Sequence, residues 1–278
     1  MRRGRRKASI FIYIVCIILA VLSIMPFWIM IVNATRSTVQ IQSHAISLLP
    51  STHILSNFKV LTGKTFNPYT GFLNSLIIAT GATALSIYFS TLTAYSLVAY
   101  EWKMRQPFFT LILAVMMIPT QVVSIGFYQF MYRIGMTNNL LALILPAIAA
   151  PMTVFFMRQY MLPSLNLDIV ASARIDGAGE FRTFNSIVLP IMKPAMATQA
   201  IFTYVTTWNA LFLPMILLTK KENYTMPIMV SLLKGDIYRT EYGAVYLALT
   251  LSVLPLFIVY FLLSKYIIAG VALGSVKE

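Results

Sequence analysis

The sequence predicts an all-α, polytopic membrane protein with six transmembrane helices, and three observations carry that expectation. Hydrophobic residues make up 59% of the 278 and charged residues only 10%, against about 25% charged in an ordinary soluble domain. The apolar residues gather into runs of roughly 20 or more, enough to cross the hydrocarbon core as helices. All eight acidic residues (Glu101, Asp168, Asp176, Glu180, Glu222, Asp236, Glu241 and Glu278) fall outside those runs. So little polar surface cannot cover a core of this size, and lipid has to be part of the solvent.

The runs are 10–32, 71–98, 108–131, 139–157, 195–217 and 243–264. In lipid the backbone has only the helix and the closed barrel available, and runs this continuous lack a barrel's period-two alternation. The first run follows a basic cluster, Arg2, Arg3, Arg5, Arg6 and Lys7, and so imitates a secretory signal. It is longer than a signal's apolar region of about 7–15 residues and closes on no small-residue cleavage pattern. Residues 1–9 therefore read as a cytoplasmic basic anchor and 10–32 as a retained first helix. An external loop 33–70, a five-helix core 71–266 and a cytoplasmic tail 267–278 follow. The basic cluster and the dominance of the first span place both termini in the cytoplasm, although Lys220 and Lys221 run against that rule. An even number of spans then puts the loop 160–194 in the cytoplasm as well.

The net charge of +13 does not mark a nucleic-acid binder, which concentrates its basic residues on one polar face. Here they sit in connectors, where anionic lipid headgroups are their ordinary partners. The one cysteine, Cys16, lies inside the first run and makes neither a disulfide nor a metal site, while His44 and His53 read as solvated residues of an early loop.

Within the second run Ser75, Ala79, Thr83, Ser86, Ser90 and Ala94 place small residues along one helical face. Such a face suits close packing between helices before it suits a substrate path. Pro119 and Pro146 are expected to kink the third and fourth helices.

The loop 160–194 holds Asp168, Arg174, Asp176, Glu180 and Arg182. Each charge costs about 2.5–3.5 kcal/mol at the bilayer centre, so the segment is aqueous. It reads as a short helix capped by Asn166 or Asp168, a bend at Gly177 and Gly179, and a second short helix. That second helix has an apolar face of Phe181, Phe184, Ile187 and Val188 and ends at Pro190. Ala171, Ser172 and Ala173 form a smooth knob suited to a partner's cleft. The alternative reading of the segment is an interfacial helix lying on the headgroups.

At these residues the chain resembles the permease subunits of ATP-binding-cassette importers, whose signature is Glu-Ala-Ala, three residues, Gly, nine residues, Ile, one residue, Leu-Pro. Gly177, Ile187, Leu189 and Pro190 match at that spacing, and Ser172-Ala173 stand at the Ala-Ala positions. The resemblance runs along nearly the whole chain and is nearest to the MalG-like carbohydrate permease family. The supporting segments are 74–79, 118–122, 142–146, Thr207-Trp208-Asn209 and the tail Gly274-Ser275-Val276-Lys277. The resemblance implies the ABC importer type I permease fold, with 167–190 as a cytoplasmic coupling helix seated on an ATPase. Ala171 stands where the signature has glutamate. Docking is therefore expected to rest on shape and on Asp168, Arg174, Asp176 and Glu180, together with Ala171, Ser172 and Ala173.

The resemblance further implies one half of a membrane pore, completed by a second, similar permease. Two ATP-binding subunits and an external solute-binding protein delivering an oligosaccharide would complete the system. The sequence has no G-x-x-x-x-G-K-[ST] phosphate loop, so no cofactor is expected on this chain, and ATP and magnesium belong to the partner ATPase. An ion-coupled carrier competes poorly, because such carriers keep ionisable residues in the membrane and the six runs have none. A membrane enzyme would need a nucleophile–base pair or metal ligands, and neither is found. Asn74, Gln121, Tyr204, Trp208 and Asn209 are the candidate substrate-pathway residues, with Trp208 and Asn209 offering a sugar a stacking face beside an amide. The external loop 218–242, with Lys220, Lys221, Asp236 and Glu241, is a candidate platform for the binding protein.

Overall fold

Helix accounts for every regular element among the described residues, as a backbone solvated by lipid requires. A computed structural model describes residues 2–63, 67–233 and 240–274, and the side chains of 11–63, 67–233 and 240–264. Asp236, Glu278 and most of the 274–277 tail motif lie outside the described residues.

The first helix, α1 (Arg2–Ala34), includes the basic cluster expected to be a separate anchor, and it contains Pro26. From Phe11 to Leu22 it presents large apolar side chains to every side, the mark of a helix solvated by lipid. Two short helices follow, α2 (Thr38–Ser43) and α3 (Ile54–Thr62). The long α4 (Pro68–Ala99) comes next, then α5 (Arg105–Met116) and α6 (Thr120–Arg133). α7 (Leu141–Ile144) leads through a 3₁₀ turn (Leu145–Ile148) into α8 (Pro151–Ser164). α9 (Leu167–Ile175) and α10 (Glu180–Thr183) form the segment expected to be a cytoplasmic loop, and α10 continues through a π turn (Phe184–Val188) into α11 (Leu189–Trp208). α12 (Phe212–Leu217), α13 (Met226–Leu233) and α14 (Tyr242–Gly274) complete the chain.

Four of the described helical segments are long and apolar enough to cross a membrane: Phe11–Ala34, Pro68–Ala99, Leu141–Ser164 and Tyr242–Ser264. The expected third span is instead two helices, α5 and α6, meeting at 98°. Pro119 is the cause, since it has no N–H to donate and is extended at φ −61° and ψ 125° before α6 begins. Counted as one broken span, the pair makes a fifth. The expected fifth run, 195–217, is also interrupted: α11 ends at Trp208 and α12 restarts at Phe212. A proline ring clashes with the carbonyl four residues back but fits a helix's first turn, so Pro214 favours a new helix over continuation through Ala210. The fourth span runs seven residues past its expected end, to Ser164. It thereby takes in Arg158, whose guanidinium lies 4.0 Å from the centre of the Phe109 ring.

Two compact units divide the chain: residues 1–68 with 229–254, and 69–228 with 255–278. In the first, the segment read as an external loop is tightly ordered by polar contacts. The buried Arg36 donates to Asn33 Oδ1 (2.9 Å) and to the carbonyls of His44 (2.7 Å) and Gln40 (2.8 Å). These acceptors compensate the cation for lost water. Ser37 and Gln40 form a reciprocal capping box at the start of α2, and the buried Asn57 donates to the carbonyls of Ala34 and Arg36 at 2.8 and 2.9 Å.

In the second unit the small-residue face of α4 is a packing face. Ser75, Ala79, Ser86, Ser90 and Ala94 are all at most 3% exposed. Ser86 Oγ donates to Thr153 Oγ1 of α8 at 3.2 Å, and the Cβ that Gly81 lacks would press on Ile144. One core of this unit joins Tyr95 and Val98 of α4, Met157 and Met161 of α8, Val170 of α9, and Phe184, Val188 and Met192. This core fixes the segment that the sequence singled out.

Candidate functional site: the 160–194 segment and an apolar cavity

Asn166 begins the segment by accepting a hydrogen bond from the Asp168 N–H on its side-chain oxygen (2.9 Å), so it caps α9 and Asp168 lies in the first turn. Val170 and Ala173, three residues apart on one helical face, point inward and are 1% and 7% exposed. Ala171 and Ser172 lie on the open side, so the smooth knob has two members at the surface and Ala173 in the core. Ile175 and Phe181 add large apolar side chains to the exposed surface, at 86% and 69%. Ala171, the position of the signature's glutamate, is thus open to a partner.

The turn after α9 explains the signature glycine. Gly177 has φ +77°, and its N–H bonds to the Arg174 carbonyl (3.1 Å) while the Ala178 N–H reaches the Ala173 carbonyl (2.9 Å). This pair of bonds is the Schellman closure of a helix end, which requires a left-handed residue at the first position past the cap. Gly179 was expected to share that role but has φ −66° and ψ 153°, a conformation open to any residue.

Pro190 does not end the second helix. The Leu189 N–H bonds to the Phe184 carbonyl, a five-residue step that forms the π turn Phe184–Val188. That wider turn accommodates the ring and the missing N–H of Pro190, and the helix runs on to Trp208. Within it Phe184 and Val188 face the core, Ile187 and Leu189 are half-buried, and Phe181 faces out.

Arg174 and Glu180, both expected to face a partner, face each other. Arg174 Nε donates to Glu180 Oε1 at 2.7 Å and its Nη2 to Oε2 at 3.4 Å. The Tyr95 hydroxyl donates to the same Oε2 at 3.3 Å, the Tyr100 hydroxyl joins it there, and the guanidinium lies 5.0 Å from the Tyr100 ring centre. The hydrogen bond from Arg174, and then that from Tyr100, holds the Glu180 carboxyl below its ordinary range. Burial, and then the Glu180 carboxylate, pushes the Tyr100 phenol up. Asp168 and Asp176 remain exposed. Sequence reasoning missed both tyrosines; their place at the end of the second run, preceding a charged connector, was the available signal.

The substrate-pathway candidates separate. Tyr204 lines an apolar cavity of about 570 Å³ between α4, α11 and α14, together with Thr80, Thr83, Ile87, Tyr88 and Leu263 among others. Trp208 stacks on Tyr204 with centroids 5.9 Å apart and meets Phe72 edge-on, but is only 1% exposed. Asn74 donates to the carbonyls of Glu222 (2.8 Å) and Tyr224 (3.0 Å), tying α4 to the 218–225 segment. Gln121 and Asn209 are exposed at the ends of α6 and α11. Thr83 and Tyr204 each have a hydroxyl buried with no hydrogen-bond partner.

Residues 86–272 match the model of the family described as the binding-protein-dependent transport system inner membrane component. The chain is 33% identical over 261 residues to the arabinooligosaccharides transport system permease protein AraQ of Halalkalibacterium halodurans, covering 93% of each. It is 30% identical over 273 residues to the lactose transport system permease protein LacG of Rhizobium radiobacter, covering 98% of each. In fold it is similar to a chain of a bacterial ABC transporter involved in the import of the acidic polysaccharide alginate, at a TM-score of 0.80 and 22% identity over 95% of this chain and 98% of that one. Sequence match, relatives and fold agree: the chain belongs to the family of inner membrane components of binding-protein-dependent transport systems.

Proposed function

We propose that this chain is the permease subunit of an ATP-driven importer of oligosaccharides. It forms half of the translocation pathway beside a second, similar permease, in a cytoplasmic membrane with both termini on the cytoplasmic side. Two ATP-binding subunits hold ATP and magnesium and seat against the 167–190 segment, and an extracytoplasmic solute-binding protein delivers substrate.

The observation that carries this reading is the segment itself. α9 is anchored through Val170 and Ala173 and closed by the Gly177 turn, and it presents Ala171, Ser172 and Ile175 outward. A rigidly supported helix with a small, partly apolar outer face suits a partner's groove. Oligosaccharide as the substrate class draws its support from the AraQ and LacG relatives.

Purification from the native membrane under mild detergent tests the assembly, with mass-spectrometric identification of the subunits recovered. Reconstitution with the binding protein, and ATPase measurement across a panel of oligosaccharides, tests the substrate. The expected result is an ATP-binding subunit in the complex and sugar-stimulated hydrolysis. Recovery of the chain with no ATPase, or uptake driven by an ion gradient without ATP, would overturn it.

A further inference from the structure

We infer that Glu180 is a positioning residue that clasps the turn of the cytoplasmic segment to the end of α4, so that motion imposed on the segment is carried into the wall of the apolar cavity. The inference rests on the coupling role proposed for 167–190 but assigns Arg174 and Glu180 a different task from contact with the ATPase.

Glu180 stands just past the Gly177 turn, whereas Tyr95 and Tyr100 lie 85 and 80 residues away, at the end of α4 and just beyond it. A carboxylate has about four acceptor sites, and four donors converge here: two guanidinium N–H groups and two phenols. Arg174 is on the near side of the turn and Glu180 on the far side, so their forked pair also closes the turn on itself.

Beyond the clasp the contacts continue without a gap. Tyr95 meets Tyr100 edge-on at 5.6 Å and lies against Phe184 at 5.7 Å, and Phe184 meets Tyr88 edge-on at 5.7 Å. Tyr88 also donates a hydrogen bond to Asn185 (3.3 Å) and lines the cavity. Rigid rings in van der Waals contact leave little slack between the turn and the cavity wall. An exposed ion pair alone would transmit little; the two tyrosines make this one a joint between elements. A chain of contacts is not by itself coupling, so the test has to measure coupling.

Glu180→Gln and Tyr100→Phe, singly and together, are compared with the unaltered chain in the full complex reconstituted with its binding protein. The readouts are subunit stoichiometry, thermal midpoint, and ATP hydrolysed per substrate molecule transported. With the clasp acting as inferred, each variant retains its ATPase subunits and goes on hydrolysing ATP. Each raises the ATP-to-substrate ratio roughly tenfold, and the double variant raises it no further than the stronger single, since both break one joint. A ratio equal to that of the unaltered chain in both single variants overturns the inference. So does loss of ATPase subunits from Glu180→Gln, which would place the carboxylate at the docking surface. If Glu180→Gln does not fold, Tyr100→Phe decides alone, because it keeps the ring and the Arg174–Glu180 pair. Failure of the unaltered chain to retain any ATPase would instead defeat the coupling role itself.

Discussion

Gly177 shows how a spaced identity becomes a physical requirement. A side chain at φ +77° brings its Cβ toward the following carbonyl at about 1–2 kcal/mol. A Cβ there meets nothing else, so the strain is confined to the backbone. Gly177→Ala should lower stability by about that amount and Gly177→Asn by less, read as successive falls in the thermal midpoint of the purified protein. Ala171 supplies the complementary case. It is exposed on the outer face of α9, where a surface change alters stability by only about 0.5 kcal/mol either way. Ala171→Glu is therefore expected to leave the fold intact and to strengthen association with the ATP-binding subunit in a salt-sensitive way. Retention of that subunit across a salt series would show it, and equal retention by both forms would count against an acidic contact at this place. At this scale the sequence was legible where a motif demanded a residue type. It was silent where the demand came from elsewhere in space: nothing near Glu180 in sequence announces Tyr95 and Tyr100.

At the scale of elements, the apolar runs 10–32, 71–98 and 243–264 coincide with long helices, because lipid admits no other use of such a stretch. The kink expected at Pro119 is a full break of 98°, and the interruption after Trp208 was less legible, because hydropathy averaged over the 195–217 run passes across it. Pro190 misled in the opposite direction: the π turn before it let the helix continue. The segment 33–63 was the least legible. Its order comes from buried polar side chains rather than from any apolar period. Asn57 holds α3 against the end of α1 by donating to the carbonyls of Ala34 and Arg36, and Asn57→Ala would strand both. A buried group left unpaired costs about 1–3 kcal/mol, so the variant should unfold at a clearly lower temperature. Gly243→Ala should destabilise the same unit, because its Cβ would fall on the Arg36 carbonyl and the Asn57 amide. Thermal unfolding followed by the fluorescence of Trp28, whose indole donates to the Leu48 carbonyl nearby, measures both.

For the whole molecule the decisive quantity is sidedness, which the proposed mechanism requires and which basic-residue placement left nearly balanced outside the N-terminal cluster. An ATPase can reach 167–190 only from the cytoplasm, and the proposed binding protein can reach the 218–225 segment only from outside. The chain offers a clean way to measure this, because Cys16 is its one cysteine and sits in α1 among residues read as lipid-facing. In a Cys16→Ala background, Ser172→Cys places a thiol on the exposed face of α9, and Lys220→Cys places one on an exposed connector. Neither side chain makes a packing contact in the cores described above, so both variants should fold. A membrane-impermeant thiol reagent applied to intact cells should label Lys220→Cys and spare Ser172→Cys, and inverted vesicles should give the reverse. Binding of the ATP-binding subunits should then shield Ser172→Cys in inverted vesicles, since Ser172 lies on the face proposed to enter their groove. Labelling of Ser172→Cys from outside would invert the topology and remove the segment from reach of any cytoplasmic ATPase. Labelling unaffected by the ATP-binding subunits would leave the topology standing but move the docking surface off the outer face of α9.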